Sequence, residues 1–241
     1  DKICFIMVAK LKLKGFKKYF FKYLVCDDFL PQKDFEFLSS INTDNIILDG
    51  SLWAQIITVA ISNNNEIKES YGTNEEFYKD FDSNYFFKLH KYFQPILSNI
   101  LNKISPMKSH LIDTYDYQLV LIDKDFVYPI HDDVPDKLLS VVVYLAPEYN
   151  MGTRIYACPE YTFNFGDSKK VGTPIECNQI QWKQNRAFIF SRVAQKTWHS
   201  YQGDGKNSRL SLVINVCTKR VDEVNKIESS DAFKKSVTWT Y

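Results

Sequence analysis

Apolar positions in this chain follow two rhythms, and the change falls near Pro106. Across 75–104, Phe77, Phe81, Phe87, Phe93, Ile96, Leu97, Ile100, Leu101 and Ile104 recur at helical spacing. That predicts one long helix or two in series, with Pro95 as a kink and Ser105-Pro106 as the end. Upstream, Asp27-Asp28-Phe29-Leu30-Pro31 reads as a helix entry, since an acidic side chain caps orphan N–H groups and Pro fits the first turn. Phe35, Leu38 and Ile41 continue it. Residues 20–25 read as a strand, 53–61 as an apolar stretch of either type, and the Asn-rich 62–74 as a loop. Residues 1–106 are therefore expected to be mainly helical.

Beyond Pro106 the runs shorten and become β-rich: 119–122, 138–145, 187–191 and 210–216. Turn residues separate them, namely Asp123-Lys124-Asp125, Pro135-Asp136, Pro147, Gly152 and Gly203-Asp204-Gly205. Short strands spaced this way predict an antiparallel sandwich or barrel. A longer polar interruption, 161–184, reads as a functional or mobile loop. No repeat or linker splits the chain, so a single domain is expected: helical support to 106, a β core over 107–220, and a C-terminal extension over 221–241.

A hydrophobic share of 45% against 24% charged is enough for a core in a soluble protein. The net charge of +1 gives no electrostatic reason to expect nucleic acid. Lys10, Lys12, Lys14, Lys17, Lys18 and Lys22 make the start basic, and the aromatic residues among them favour a solvated face over a phosphate or membrane patch. No apolar run is long enough to cross a bilayer. Five scattered cysteines without knuckle spacing predict reduced thiols and a cytoplasmic setting. The chain opens at Asp1 rather than Met, which leaves room for an upstream segment.

The candidate chemistry starts at Tyr128-Pro129-Ile130-His131-Asp132-Asp133. Pro129 argues for an extended backbone, in which His131 and Asp133 share one side and Asp132 turns away. An imidazole and a carboxylate make two thirds of the facial triad that holds non-haem Fe(II). Of the three remaining histidines, His90 lies in the helical stretch and His110 opens a strand-like segment; both read as ordinary positions. His199 lies between two β-runs and can complete the site if two sheets face each other. In the last run Arg209, Ser211, Val213 and Asn215 share one face, while Leu210, Leu212, Ile214 and Val216 share the other. A buried guanidinium needs an anion, and a carboxylate matches its fork, with Ser211 placed to add a hydrogen bond.

Here the chain resembles the Fe(II)- and 2-oxoglutarate-dependent dioxygenases, in the prolyl-hydroxylase-like branch. Their pattern is His-x-Asp, a distant His, and a basic residue about ten positions later: His131-Asp132-Asp133, His199 and Arg209. The segments 137–145 and 151–156 look like the strands that follow the first motif, and Asp28-Phe29-Leu30-Pro31 like the N-terminal helix entry. The resemblance covers about 110–216 well and the first half in outline. It implies an α+β protein with a mainly β core: a double-stranded β-helix of jelly-roll or cupin-like type, with N-terminal helices packed on one sheet. It implies Fe(II) on His131, Asp133 and His199. The co-substrate 2-oxoglutarate would lie on Arg209 and Ser211, with Tyr117 and Asn215 as further contacts. O2 completes the set, and ascorbate supports activity in such enzymes. Arg154, Tyr144 and Trp198 are candidates for the substrate wall. The retained Asp133 favours hydroxylation over halogenation.

Two departures leave the substrate open, a small molecule or a peptide. Prolyl hydroxylases usually carry Lys where Arg209 stands, and many relatives have Gly-Gly where this chain has Gly152-Thr153. A non-catalytic β-sandwich binding protein and a cupin-like enzyme using another metal remain the alternatives. Arg209 with Ser211 discriminates, because only the 2-oxoglutarate reading requires a basic anchor near the metal.

Overall fold

The structure is a computed structural model that describes residues 22–43, 46, 53–72, 83–157 and 175–237. In chain order the strands are β1 (Tyr23–Cys26), β2 (Trp53–Ser62), β3 (Ile67–Gly72), β4 (Thr114–Ile122), β5 (Val127–His131) and β6 (Lys137–Ala146), then β7 (Arg154–Ala157), β8 (Ile175–Gln179), β9 (Ala187–Phe190), β10 (His199–Gln202) and β11 (Arg209–Cys217). Helices are α1 (Gln32–Ser39), α2 (Ser83–Ile104), a 3-10 helix at Pro106–Leu111, α3 (Val221–Ser229) and α4 (Asp231–Val237).

All strand pairs are antiparallel, in one sheet ordered β1-β9-β6-β11-β4-β2-β3 and a second ordered β5-β10-β7-β8. From β4 onwards the chain alternates between them: β4, β6, β9 and β11 in the first, β5, β7, β8 and β10 in the second. That strand order is a double-stranded β-helix.

Strand β11 sits in the middle of the larger sheet and shows why the layers form. Leu210, Leu212, Ile214 and Val216 enter the main apolar core, with Tyr115, Tyr117, Leu119 and Leu121 of β4 and Leu139, Val141, Val143 and Leu145 of β6. The apolar stripe of α2, with Phe86, Leu89, Phe93, Leu97, Ile100 and Leu101, covers this face. Each buried aliphatic side chain contributes roughly 1.5–3 kcal/mol. A one-residue slip of β11 would put Arg209, Ser211 and Asn215 into that core instead, so its register is strongly specified.

The first half is less helical than expected. The undecided stretch at 53–61 is strand β2, paired with β4, and much of the expected loop at 62–74 is strand β3. Only the tight turn around Asn63–Asn65 separates them; Asn65 takes φ 68°, a left-handed conformation that Asn tolerates better than most residues. An alternating polar strand at a sheet edge has no apolar run to announce it. Residues 75–82 lie outside the described residues, as do the first five basic lysines and 161–174 of the expected loop; its remainder includes β8.

Asp27 and Asp28 do not cap α1, whose N-cap is Pro31. Asp27 instead pairs with Arg186 (Nε 2.5 Å, Nη2 3.0 Å) and Lys183 (3.1 Å), tying β1 to the turn before β9. The Arg186 hydrogen bond holds its carboxyl down to about 2. His110 lies in the 3-10 helix rather than in a strand, because Pro106 starts a helical turn there and β4 begins only at Thr114.

His90 is fully buried rather than at the surface: it faces β4 and shares a 3.1 Å hydrogen bond between its Nδ1 and the Tyr117 hydroxyl. Burial pushes its pKa down to about 4. The folded state thus resists protonating His90, whereas the unfolded chain protonates it near 6.5. Its contribution is complete above pH 6.5 and is lost as pH falls towards 4, to a total of ~3 kcal/mol. Urea denaturation at a series of pH values is expected to show that decline, and His90→Leu to flatten it; an unchanged slope in the variant would show that the pH dependence arises elsewhere.

Candidate metal centre and anion pocket

Strands β5 and β10 lie side by side in the smaller sheet, with His131 opposite His199. Asp133 follows two residues after His131, just beyond the end of β5. Their ligating atoms all lie within 4.8 Å of one another, and the two imidazole centroids are 4.2 Å apart. Among the described residues this is the only such cluster of three or more His, Cys, Asp and Glu side chains.

The tautomers suit a metal. His131 Nδ1 is 2.9 Å from the carbonyl oxygen of Pro129, and His199 Nδ1 is 2.8 Å from that of Thr197. A carbonyl only accepts, so each Nδ1 carries a proton and Nε2 is the ring nitrogen left to face a metal. Burial, helped by the neighbouring His199, pushes His131 down to about 3, so its ring is neutral across the physiological range. Burial alone would raise Asp133, but Lys137, His199 and Ser140 outweigh it and hold the carboxyl well below its usual range. Lys137 Nζ donates to Asp133 Oδ1 at 3.0 Å and Ser140 Oγ to Oδ2 at 2.7 Å. One carboxylate and two imidazoles form the donor set of a non-haem Fe(II) site.

The inter-sheet cavity, of about 190 Å³, is lined by all three of these residues and by Arg209 and Asn215. Arg209 is 3% exposed, and no carboxylate among the described residues pairs with it. Its Nε donates to Ser211 Oγ at 2.9 Å. The rings of Tyr201, Tyr144 and Trp182 surround the guanidinium at 4.2, 5.0 and 5.6 Å. Its Nη1 is buried without a hydrogen-bond partner. A cation among aromatic faces with a donor left over has the chemistry to receive an anion.

The other expected site residues fall elsewhere. Tyr117 points into the apolar core on the opposite face of β4, towards His90; the cavity face of that strand carries Gln118, Val120 and Ile122. Period-two alternation makes Tyr117 and Gln118 mutually exclusive at the cavity. Tyr144 stands behind Arg209, stacked on Trp182 at 4.6 Å and hydrogen-bonded to Thr153. Trp198 packs with Tyr156 and Ile130, and Arg154 on β7 pairs with Ser200 and Gln179; neither lines the cavity. Lys137, Ser140, Tyr201 and Gln118 do line it, although no motif singled them out. For Ser140 a signal existed: it is a polar residue inside the apolar run 138–145.

Asp132, turned away from the cavity, braces the centre. It accepts from the Gln195 N–H at 2.8 Å and from the Thr197 hydroxyl, which links the His131 and His199 segments. Arg192 Nε donates to the Asp133 carbonyl at 2.7 Å and its Nη1 to Glu228 Oε2 at 3.1 Å. Glu228, from α3, also accepts from the Ala194 N–H at 3.0 Å and from Lys108, whose side chain is fully buried.

Strand order and side chains together give a double-stranded β-helix in which two histidines and an aspartate converge and a buried arginine opens onto the same cavity. No protein-family model matches the chain, and neither does any curated protein sequence. Its solved structural neighbours include prolyl-4-hydroxylases. A prolyl-4-hydroxylase from Pseudomonas putida is 14% identical, with 82% of this chain and 92% of that one covered and a TM-score of 0.43. The viral collagen prolyl hydroxylase of Paramecium Bursaria Chlorella virus-1, solved as a 2-oxoglutarate complex, is 16% identical over 81% of this chain and 96% of that one, at 0.41. A Trichoplax adhaerens prolyl hydroxylase, in complex with a hypoxia inducible factor oxygen degradation domain peptide fragment, is 13% identical over 95% and 94%, at 0.49.

Glu228 pairs with two buried cations; removing it leaves Lys108 with no carboxylate among the described residues and Arg192 with only Asp132, at 3.9 Å. Glu228→Ala is expected to cost ~3–5 kcal/mol in chemical denaturation. Glu228→Gln is expected to cost less, because its amide oxygen still accepts from Arg192 and Ala194. A loss under ~1 kcal/mol for the alanine variant would mean that solvent reaches this cluster.

Proposed function

We infer that the chain is an Fe(II)- and 2-oxoglutarate-dependent oxygenase, most simply a hydroxylase acting on a small molecule or peptide. The observation that supports this best is Arg209: a buried guanidinium without a carboxylate, opening onto the same cavity as two imidazoles and a carboxylate. A metalloenzyme without a dicarboxylate co-substrate has no use for that charge, and a non-catalytic sandwich would leave it as an uncompensated cost.

In this reading His131, Asp133 and His199 hold one face of the metal. Lys137 and Ser140 fix the carboxylate by binding both of its oxygens, and the Pro129 and Thr197 carbonyls fix the two rings. Arg209, oriented by Ser211 and the three aromatic rings, holds the remote carboxylate of 2-oxoglutarate. Val120, Val142, Val213 and Phe190 keep the cavity between them apolar. When bound, Fe(II) with 2-oxoglutarate and O2 supplies an oxidation that hydroxylates a C–H bond and releases succinate and CO2. A reducing, cytoplasmic setting suits Fe(II) and agrees with Cys26 and Cys217, which are buried free thiols. No helix among the described residues is long and apolar enough to cross a membrane.

Anaerobic addition of Fe(II) and 2-oxoglutarate is expected to give a visible charge-transfer band, and admission of air with ascorbate to give succinate. Absence of both would refute the assignment. Arg209→Ala is expected to weaken 2-oxoglutarate binding at least ~30-fold, from the ~2–5 kcal/mol cost of breaking a buried charge pair. His199→Ala is expected to abolish metal binding; full activity in that variant would exclude His199 as a ligand.

A further inference from the structure

The cavity holds a second polar group without a partner, and it is not the one that faces the co-substrate. Asn215 is 1% exposed and lines the cavity, and its carboxamide makes no hydrogen bond to any described residue; its Oδ1 is wholly buried. Leaving such a group unsatisfied is unfavourable, and buried polar atoms in folded proteins are ordinarily paired. The β11 register explains how Asn215 comes to face the cavity: it shares the polar face with Arg209, three side-chain steps further along.

Its neighbours locate it. Asn215 is paired with Ser140 of β6, and Ser140 donates to the Asp133 carboxylate at 2.7 Å. Side chains on directly paired residues are within reach of each other, so Asn215 stands beside the metal carboxylate. Gln118 lies diagonally across on β4, where it pairs with Val213. On β4 the residue directly opposite Asn215 is Asp116, which does not line the cavity and accepts from Cys217 Sγ at 3.5 Å; of the charges that line this end, Lys137 and Asp133 satisfy each other at 3.0 Å. This end of the cavity thus presents carboxamides, a hydroxyl and valine side chains, while the unmatched cation lies at the other end.

The geometry points to Asn215 as the subsite for the substrate to be oxidised, taking an uncharged amide, either a side-chain carboxamide or a peptide unit. This rests on the oxygenase reading. An amide supplies both the donor that Asn215 Oδ1 lacks and an acceptor for its NH2. A carboxylate would offer Oδ1 no donor and would place a second negative charge beside Asp133. An ammonium would sit beside Lys137 and leave the Asn215 NH2 unanswered. A 2-oxoglutarate dianion carries no hydrogen-bond donor to offer Asn215 Oδ1, so the expected co-substrate contact does not satisfy it and the site falls to the other reactant.

The test uses the full chain loaded with Mn(II) and 2-oxoglutarate without O2, and reads paramagnetic relaxation of the methyl protons of acetamide and of acetate by NMR. Acetamide is expected to relax faster than acetate. Asn215→Leu is expected to reduce its enhancement ~3- to 10-fold, the value of one or two neutral hydrogen bonds. Asn215→Ser serves the same purpose should the leucine variant fail to fold, and the Mn(II) resonance checks occupancy in each protein. Equal relaxation of both probes, or an enhancement that survives both substitutions, overturns the subsite while Mn(II) is bound. Failure to bind Mn(II) at all overturns the metal reading and the subsite with it.

Discussion

Period-two alternation on β11 is the constraint on which the rest depends. One face must be apolar enough to hold α2 and the inner faces of β4 and β6. The other must carry groups that no core would accept. These demands share nine residues of backbone, so the apolar side secures the register that aims Arg209 and Asn215 into the cavity. Stability and chemistry are therefore coupled: a slip that turned Leu212 to the cavity would also drive Arg209 into the apolar core.

The metal centre is held in the same indirect way. His131 and Asp133 face inwards because they are two apart on an extended segment, which leaves Asp132 facing out. That outward carboxylate ties the His131 segment to the His199 segment through Gln195 and Thr197. Arg192, Lys108 and Glu228 then fasten the assembly to α3, far along the chain. Ligands on separate strands need such bracing, because side-chain entropy and loop motion would otherwise blur their convergence.

The cavity is polar in an asymmetric way. At one end a caged cation is left open to an anion. Near the metal, the ion pair between Lys137 and Asp133 is closed, and the remaining polar groups are neutral. In the proposed reading these two unlike ends take two unlike reactants, a dicarboxylate and an uncharged group.

Much of this was legible in the residues. His131, Asp133 and the alternating faces of β11 follow from spacing, because an extended chain has a rigid side-chain period, while His199 stands out among four histidines by its place between two β-runs. The long helix α2 was legible for the corresponding reason at the helical period. Strand β3 was not, because a polar edge strand resembles a loop. Tyr117 is expected at the cavity because the family that the chain resembles often places a co-substrate contact on the strand before the first His motif. Which of Tyr117 and Gln118 faces inwards depends on the phase of β4 against β11, and that phase is settled by packing against α2. The brace through Asp132, Arg192, Lys108 and Glu228 joins residues up to 120 positions apart, beyond the reach of any local pattern. The sequence by itself determined which groups were chemically capable of the site and the period that groups them; only the tertiary structure decided which met, because convergence depends on the register between strands and not on the order along one chain.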